Sequence, residues 1–208
     1  MSGGGPGPGA ARGGSPAHGS APGRAGSAAG AESAGAVPRA DSVPREHRAT
    51  APQSIGCFVL TISDSKTPET DTSGILIREL LTGAGHTVVG HAIVRDEPAD
   101  VTAVIRRGAE DPAIQAFVLT GGTGVTSRDS TFEAVEALLD KRLTGFGELF
   151  RMLSWEQVGA AAMLSRAQAG VVRGRALFSL PGSPNACRLA LEKLIIPELG
   201  HLLREISR

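Results

Sequence analysis

A glycine-rich segment with hydroxyl and charged side chains carries the clearest chemical signal in the sequence. Residues 120–124 read Thr-Gly-Gly-Thr-Gly, and residues 125–131 continue Val-Thr-Ser-Arg-Asp-Ser-Thr. Glycines allow a backbone to present its N–H groups to a phosphate, and nearby hydroxyls add donors. The segment contains neither a Walker loop nor the G-x-G-x-x-G dinucleotide fingerprint. We predict an anion site here, with a plain tight turn as the alternative. Its candidate ligands are Thr120, Gly121, Gly122, Thr123 and Gly124.

An acidic residue lies directly beside this segment. Ser130 and Glu133 have the spacing of a capping box, which predicts a helix that begins near Thr131. Asp129 would then be held at the start of that helix, next to the phosphate-binding backbone. A carboxylate in that position could hold a metal ion that is shared with a phosphate.

Polar residues also follow the first two apolar runs of the chain. Ser63 and Asp64 follow the first run, and Asp96 and Glu97 follow the second. Such residues can bind a hydroxyl or a metal ion, but they are also ordinary turn and capping residues. The acids at 96 and 97 would equally suit the positive first turn of a helix that begins at Pro98. Both interpretations remain open for each pair.

A last apolar run ends in a second glycine-containing segment. Pro181, Gly182 and Ser183 follow it, and Ser183 is a suitable N-cap for a helix whose first residue is Pro184. A glycine-containing helix start can form a second anion site. Taken alone, the same residues are also simply a good helix start.

Alternating strand and helix patterns must position these residues. Strands are predicted at 57–62, 86–94, 116–120 and 176–180, and helices at 71–84, 99–110, 131–139, 146–153, 155–162 and 184–206. Near-continuous apolar strands that alternate with helices predict an α/β fold, a three-layer open and mostly parallel sheet with helices on both faces. Ligands of such sheets bind outside the carboxyl ends of the strands. The four polar segments follow those ends.

The first 54 residues differ in composition from the rest of the chain. They are rich in Gly, Ala, Pro and Ser, and they contain no aromatic residue and no long apolar run. Burial in such a stretch would not offset the entropy lost on ordering. We predict a disordered tail at 1–54 and one folded domain at 55–208. A targeting peptide is the alternative, although the stretch lacks the apolar core of a secretory signal.

Composition also excludes several classes of protein. The 21 basic residues equal the 21 acidic ones and aromatic residues are few, which argues against nucleic acid as a partner. No run approaches the length of a membrane span. Cys57 and Cys187 lack metal-ligand spacing. We therefore predict buried, reduced thiols in a cytoplasmic protein.

Two anion sites and several carboxylates at one rim suit a substrate with two phosphate-bearing parts. Nucleotidyl transfer depends mainly on positioning and on charge neutralisation by Mg²⁺, which carboxylates and substrate phosphates hold together. That reaction class is therefore the one that the residues favour.

Five segments resemble, in order and spacing, the MoaB/Mog family of molybdenum cofactor biosynthesis proteins, which includes the G domain of gephyrin. They are LTISDS at 60–65, TGGTG at 120–124 with RDST at 128–131, GFGELFRMLS at 145–154, LSRAQAG at 164–170 and LPGSPNA at 180–186. The resemblance covers 55–208 and implies a molybdopterin-binding fold and a trimer or hexamer of identical chains. Active members of the family transfer AMP from MgATP to the terminal phosphate of molybdopterin and release pyrophosphate.

The resemblance also implies catalytic roles for three carboxylates and a phosphate contact. Asp129 and Asp96 would hold Mg²⁺ or order the phosphates, and Asp64 would act with them beside Ser63. Arg128 could neutralise phosphate charge, or it could be an ordinary exposed arginine.

Further residues of the matching segments would bind the two substrates. Gly121–Gly124 would cradle the nucleotide or pterin phosphate, and Pro181–Ser183 would line the pterin side. Glu148 and Ser165 are further candidates for substrate contact. Phe132 stands where the family usually has proline, from which we expect a local change in the loop.

Three functions compete for this sequence. The first is the molybdopterin adenylyltransferase, and the second is a non-catalytic molybdopterin-binding or scaffold protein on the same fold. The third, a nicotinamide-dependent reductase, would require G-x-G-x-x-G after the first strand, where this chain has Ser-Asp-Ser-Lys. The acids at positions 96, 97 and 129 favour the adenylyltransferase.

Overall fold

A mostly parallel sheet organises the part of the chain that the computed structural model describes, residues 54–125 and 130–208. The strands are β1 (Gly56–Ile62), β2 (Thr87–Val94), β3 (Ala116–Thr120), β4 (Lys141–Arg142), β5 (Gln168–Val172) and β6 (Arg175–Leu180). They lie in the order β2-β1-β3-β6-β5-β4. The first four in this order are parallel, whereas β5 runs antiparallel to β6 and β4 antiparallel to β5. The predicted sheet type is confirmed.

Two parts of the sequence fall outside the described residues. Residues 1–53 hold nearly all of the predicted tail, so its predicted disorder stays a prediction. Residues 126–129 include the candidate site residues Arg128 and Asp129. None of the helices in residues 54–125 and 130–208 combines the length and apolarity needed to cross a bilayer.

Six α-helices in the described residues connect and cover these strands. They are α1 (Thr72–Gly83), α2 (Pro98–Gly108), α3 (Thr131–Glu136), α4 (Thr144–Val158), α5 (Pro184–Ala190) and α6 (Ile196–Ile206). Pro98 and Pro184 occupy the first positions of α2 and α5, as predicted. Proline is favoured there because the first N–H of a helix has no partner within the helix.

Strand residues alternate between two apolar cores, one on each face of the sheet. On β3, Ala116 and Val118 belong to the first core, whereas Phe117 and Leu119 belong to the second. Buried side chains of α1, α4, α5 and α6 complete the first core, and those of α2 and α3 complete the second. Helices therefore cover both faces, and the predicted three-layer α/β fold is confirmed.

The sequence patterns do not predict β4 and β5. Strand β4 has only two residues, and β5 reads Gln-Ala-Gly-Val-Val, which lacks a clear alternation. The turn between β5 and β6 is Arg173–Gly174, with φ of 45° and 74°. Two positive φ angles are what a two-residue type I′ hairpin requires. The sequence did not predict this hairpin because arginine occupies the first position of the turn, where asparagine or aspartate is usual.

The boundaries of three helical regions also differ from the prediction. The predicted helices at 146–153 and 155–162 are one helix, α4, followed by a 3₁₀ helix at Gly159–Leu164. Helix α3 ends at Glu136, three residues before the predicted end. The predicted C-terminal helix is α5 and α6 joined by a π-helical turn at Leu191–Ile195. Pro197 follows that turn and has no N–H to donate to it, which accounts for the altered hydrogen bonding there.

Candidate functional site

Four loops follow the carboxyl ends of β1, β2, β3 and β6, and hydrogen bonds join neighbouring loops. The Ser63 N–H donates to the Val94 carbonyl (2.8 Å), and the Gly121 N–H donates to the Leu180 carbonyl (3.0 Å). Because these strands are adjacent and parallel, the loops form one rim, the edge at which open α/β sheets bind ligands. The polar segments singled out in the sequence therefore lie along one edge.

Asp64 and Asp96 are neighbours at the β1–β2 part of this rim. Oδ1 of Asp64 accepts a hydrogen bond from the Asp96 N–H (3.2 Å) and lies 4.0 Å from Nε of Arg95. Asp64 therefore fixes the loop after β2 and acts on Asp96 through the backbone. The Ser63 hydroxyl oxygen accepts hydrogen bonds from two backbone N–H groups of its own turn, each 3.3 Å away. That is the turn-forming role that the sequence left open for it.

The side chain of Asp96 reaches the glycine loop. A methyl group placed on Gly122 would lie 3.3 Å from Oδ1 of Asp96 and 3.0 Å from Cγ2 of Thr131. Within the described residues, both Oδ1 of Asp96 and Oγ1 of Thr131 are buried and have no hydrogen-bond partner. Buried polar atoms are nearly always paired, and an unpaired one costs about 1–3 kcal/mol. This pair of atoms is therefore a candidate contact for a ligand or ion.

The donor set at this place fits Mg²⁺ only in part. A buried carboxylate oxygen beside a phosphate-binding loop is a suitable Mg²⁺ ligand. Residues 54–125 and 130–208 contain no group of three His, Cys, Asp or Glu side chains that could hold a metal ion. Mg²⁺ usually takes one or two carboxylates and completes its shell with water and phosphate oxygens. Asp96 can supply one of these, and the other predicted ligand, Asp129, lies outside the described residues.

The backbone of the glycine loop explains two of its glycines. Gly121 and Gly122 have φ of +95° and +65°, angles that other residues rarely adopt. A side chain on Gly121 would also overlap the carbonyl oxygen of Ile62. Because the Gly121 N–H is already bonded to Leu180, this group is not available to a phosphate. Gly121 therefore shapes the loop.

Thr120 does not face the ligand space in the way that the sequence suggested. It is 1% exposed, and its hydroxyl lies 3.2 Å from both the Pro181 carbonyl and Sγ of Cys187. Thr120 therefore joins β3 to the loop after β6 from the inside. Burial raises the pKa of the Cys187 thiol, so this cysteine is a protonated core residue, as predicted. Cys57 is likewise free and buried, and burial raises its pKa to about 12.

A cleft of about 270 Å³ brings four of the predicted substrate-binding residues together. The residues that line this cleft include Thr123, Ser165, Pro181 and Ser183. The Ser183 hydroxyl oxygen also accepts a hydrogen bond from the Ala186 N–H (3.3 Å), and so caps α5 as predicted. A cleft that combines apolar walls with a few polar groups is typical of small-molecule sites. Gly182, in the same loop, lies opposite the glycine loop, since a methyl group on it would be 3.6 Å from Cα of Gly121.

Glu148 lies apart from this cleft. It is exposed on α4 and lines a separate depression of about 290 Å³ between α3, α4 and β5, together with Arg142 and Arg151. The matching sequence segment placed Glu148 among the substrate ligands. The structure does not bring it to the cleft that contains Ser165, because the two residues line different depressions.

A buried network beneath the rim was missed by the sequence reasoning. Oδ2 of Asp71 accepts a hydrogen bond from the Thr61 hydroxyl (2.7 Å) and lies 3.0 Å from Nε2 of His91. Oδ1 of the same residue accepts from the Gly74 N–H (2.9 Å) and so caps α1. The Ser73 hydroxyl donates to the Gly182 carbonyl (2.7 Å). An aspartate before a helix signals a cap, but its partners on β1 and β2 are distant in sequence.

Arg166 is the second residue that the sequence reasoning missed. Its guanidinium donates to the carbonyl oxygens of Thr123, at 3.2 Å, and Gly124, and it pairs with the carboxylate of Glu133. The only available signal was its place beside Ser165 in the segment at 164–170. Its partners lie some 33 to 43 residues earlier in the chain.

Comparison with known proteins identifies the family. Residues 58–201 match the family model described as "Probable molybdopterin binding domain". Molybdenum cofactor biosynthesis protein B of Halalkalibacterium halodurans is 52% identical over 164 residues, which make up 78% of this chain and 96% of the relative. A crystal structure of a molybdenum cofactor biosynthesis protein B is 49% identical with a TM-score of 0.74, and the match covers 76% of this chain and 99% of that one.

A further solved structure is the tungsten cofactor synthesizing protein MoaB from Pyrococcus furiosus. It is 40% identical to this chain with a TM-score of 0.68, and the match covers 76% of this chain and all of that one, 100%. The family model, from residue 58 to residue 201, includes every loop of the rim. The chain therefore belongs to the MoaB/Mog family of molybdopterin-binding-domain proteins.

Proposed function

We propose that the protein acts in molybdenum cofactor biosynthesis, where it binds molybdopterin and transfers AMP from MgATP to the terminal phosphate of the pterin. The observation that carries the proposal is the buried Oδ1 of Asp96, which has no partner among the described residues and lies beside Gly122. An oxygen in that position suits Mg²⁺ shared with a phosphate. The names of the relatives support the pathway.

In the proposed reaction, an oxygen of the pterin phosphate attacks the α-phosphorus of ATP. The bond from that phosphorus to the bridging oxygen breaks, and pyrophosphate leaves with the electron pair. Bound Mg²⁺ would neutralise phosphate charge, held by Asp96 together with Asp129. Asp64 fixes the backbone of Asp96, and the glycine loop orients the phosphates.

The pterin is proposed to occupy the cleft that contains Thr123, Ser165, Pro181 and Ser183. These residues combine hydroxyl groups with backbone polar groups, and the side chains of Phe150 and Leu189 add apolar surface. The cleft includes residues of both the glycine loop and the loop after β6. A pterin there would bring its phosphate toward the glycine loop, where AMP transfer is proposed to occur.

Label transfer tests the proposal. Purified protein is incubated with molybdopterin, Mg²⁺ and ATP labelled at the α-phosphate, beside the variants Asp96→Asn and Asp100→Asn. The second variant changes an exposed acid in the first turn of α2 and is the matched control. We expect label on the pterin with the wild type and the control, and its loss with Asp96→Asn while pterin binding persists. If the wild type binds the pterin tightly but transfers no label to it, the adenylyltransferase hypothesis is wrong and the protein is a pterin-binding protein.

A non-catalytic molybdopterin-binding or scaffold protein is the second candidate. The observation in its favour is that the relatives are named molybdenum cofactor biosynthesis protein B, a name that states a pathway and no transfer of AMP. On this hypothesis the cleft binds the pterin, whereas Mg²⁺ and ATP have no effect on that binding. Titration of MgATP into the protein–pterin complex separates the two candidates, because the adenylyltransferase must bind both ligands at once, whereas the binding protein takes up the pterin alone.

We also propose that the protein forms a homo-oligomer, a trimer or a hexamer. Exposed apolar side chains lie along α4 and the 3₁₀ helix after it, with 47% to 77% of each side chain accessible. They are Leu149, Met152, Trp155, Val158, Met163 and Leu164. Exposed apolar side chains that follow one another along a helix are a candidate protein–protein contact. A second copy of the chain is the proposed occupant.

A further inference from the structure

We infer that Arg166 is a positioning residue that fixes the glycine loop to the start of α3, and that Phe132 is the platform that holds Arg166 in place. The inference rests on the proposed function because it assigns these two residues to the same phosphate site. Neither side chain needs to contact a substrate for this role.

The guanidinium of Arg166 has a partner on almost every side. Nε donates to the Thr123 carbonyl (3.2 Å), one terminal nitrogen donates to the Gly124 carbonyl, and the other pairs with Oε1 of Glu133. Its central carbon, Cζ, lies 4.5 Å from the centre of the Phe132 ring. Arginine presents its donors in one plane while its flat face can stack on an aromatic ring. The side chain of Arg166 is 22% exposed, whereas that of its partner Glu133 is 57% exposed.

These partners come from both sides of residues 126–129 in the chain. Thr123 and Gly124 precede that segment, and Phe132 and Glu133 follow it. A single side chain therefore ties together the two points where the segment begins and ends. Gln168, two residues after Arg166, adds a second tie, because its Nε2 donates to the Phe132 carbonyl (3.1 Å). The start of β5 thus holds the start of α3 at two points.

The function of this arrangement follows from what phosphoryl chemistry requires. Transfer of AMP depends on placing the phosphates and their neutralising groups, and small misplacements cost a large share of the rate. Gly121 and Gly122 lie in the left-handed region, and glycine loses more conformational freedom on ordering than any other residue. Contacts from Arg166 to the Thr123 and Gly124 carbonyls restrain the loop from outside it. The reaction should therefore lose turnover when the contacts are lost, even where substrate still binds.

Lysine cannot reproduce these contacts. A lysine keeps the positive charge and can pair with Glu133, but its single ammonium cannot donate in one plane to two carbonyls and stack on a ring. Leucine at position 132 keeps an apolar side chain and removes only the aromatic face. Lysine at position 166 therefore keeps the charge, and leucine at position 132 keeps the apolar side chain. Each substitution removes the planar contacts of the guanidinium or of the ring, on which the inference depends.

The test compares Arg166→Lys and Phe132→Leu with the wild type. Arg188→Lys is the matched control, because Arg188 pairs with Glu192 at 3.0 Å on the surface of α5, away from the glycine loop. We measure kcat and KM for AMP transfer, the melting temperature, and hydrogen exchange of the amides in residues 121–125 and 130–135. For Arg166→Lys we expect kcat to fall on the order of 10- to 100-fold with KM nearly unchanged, and faster exchange confined to those amides. Phe132→Leu should show the same pattern to a smaller extent.

Two results would overturn the inference. One is an Arg166→Lys variant with the kcat and the exchange of the wild type. The other is a uniform increase of exchange over the whole domain with a lowered melting temperature, because that pattern describes a general structural role. If the wild type transfers no AMP, the proposed enzyme fails, but local exchange in residues 121–125 and 130–135 still decides whether Arg166 positions the loop.

Discussion

Nε2 of His91 lies 3.0 Å from Oδ2 of Asp71, which joins the edge strand β2 to the first turn of α1. The same carboxylate accepts from the Thr61 hydroxyl on β1 and from the Gly74 N–H, and Asp71 is 1% exposed. Two residues further along the chain, Ser73 donates from α1 to the Gly182 carbonyl. The start of α1 is thus fixed to two strands and to the loop that lines the candidate pterin cleft.

Removal of this carboxylate should destabilise the fold. In Asp71→Ala the helix loses its cap, and the Thr61 hydroxyl and His91 lose a buried partner. We expect the free energy of unfolding to fall by about 3 kcal/mol, as is typical when one partner of a buried pair is removed. Urea titration of the variant measures this. Asp71→Asn, which can still accept from the Gly74 N–H, should lose less. Equal stability of Asp71→Ala and the wild type would contradict the interpretation of the network.

Gly122 should not tolerate a side chain. In Gly122→Ala the residue keeps φ near +65° at a cost of about 1–2 kcal/mol. Its new methyl group must also push against Thr131 and toward Asp96. We expect lower thermal stability together with weaker binding of MgATP. The control is Gly83→Ala at the end of α1, where a methyl group meets no atom within 4 Å, and its stability should stay the same or rise. Normal MgATP binding by Gly122→Ala would contradict the placement of the nucleotide.

His86 should make stability depend on pH. Burial of the ring lowers its pKa below the ordinary value of 6.5, and its Nδ1 has no hydrogen-bond partner within the described residues. The unfolded chain therefore binds a proton more readily than the folded one. Its contribution to stability is present above pH 6.5 and is lost as the pH falls below it. Urea unfolding is compared at pH 7.5 and at pH 5.5, about one unit above and below the ordinary pKa of histidine. The free energy of unfolding should fall less between these two pH values in His86→Gln than in the wild type. An identical loss in both proteins would show that other groups are responsible.

The exposed apolar residues of α4 should govern assembly. Trp155→Asp places a charge at the middle of that surface, where the tryptophan is 62% exposed. Because the side chain contributes little to the core of its own chain, we expect the fold to be retained and the oligomer to dissociate. Sedimentation velocity measures the mass in solution. The control is Val89→Asp on β2, where an exposed valine is replaced outside this surface. A variant that keeps the mass of the wild type would place the interface elsewhere.

Local patterns in the sequence predicted most of the fold and the position of the rim. Near-continuous apolar runs that alternate with helical patterns, together with the prolines at 98 and 184, were sufficient to predict four strands, two helix starts and the three-layer fold. Strand β5 was not predictable in the same way, because it is held by pairing with β6 across the Arg173–Gly174 turn. Its own residues carry a weak signal. Strand β5 therefore forms because of its pairing in the hairpin, and not because of its amino-acid composition.

The candidate site was predictable at the level of loops and less so at the level of side chains. The segments after the strands named Asp96 and Ser183, and the family resemblance named Ser165. The structure places these residues along the rim or its cleft. Thr120 was placed in the ligand space although its hydroxyl is bonded inside the domain. Arg166 was missed because its role depends on contacts across the sheet. Spacing along a chain can indicate which loops meet, but not which way a side chain turns.

The pairing of β3 with β6 has a consequence for how the protein folds. Ala116 lies beside Ala176, so about 60 residues must be enclosed before these two strands meet. Pairings across long stretches of chain form slowly, whereas a two-residue hairpin such as β5–β6 closes on the microsecond scale. The glycine loop and the loop after β6 can come together only when that pairing is complete. We therefore expect refolding protein to regain secondary structure first and ligand binding last.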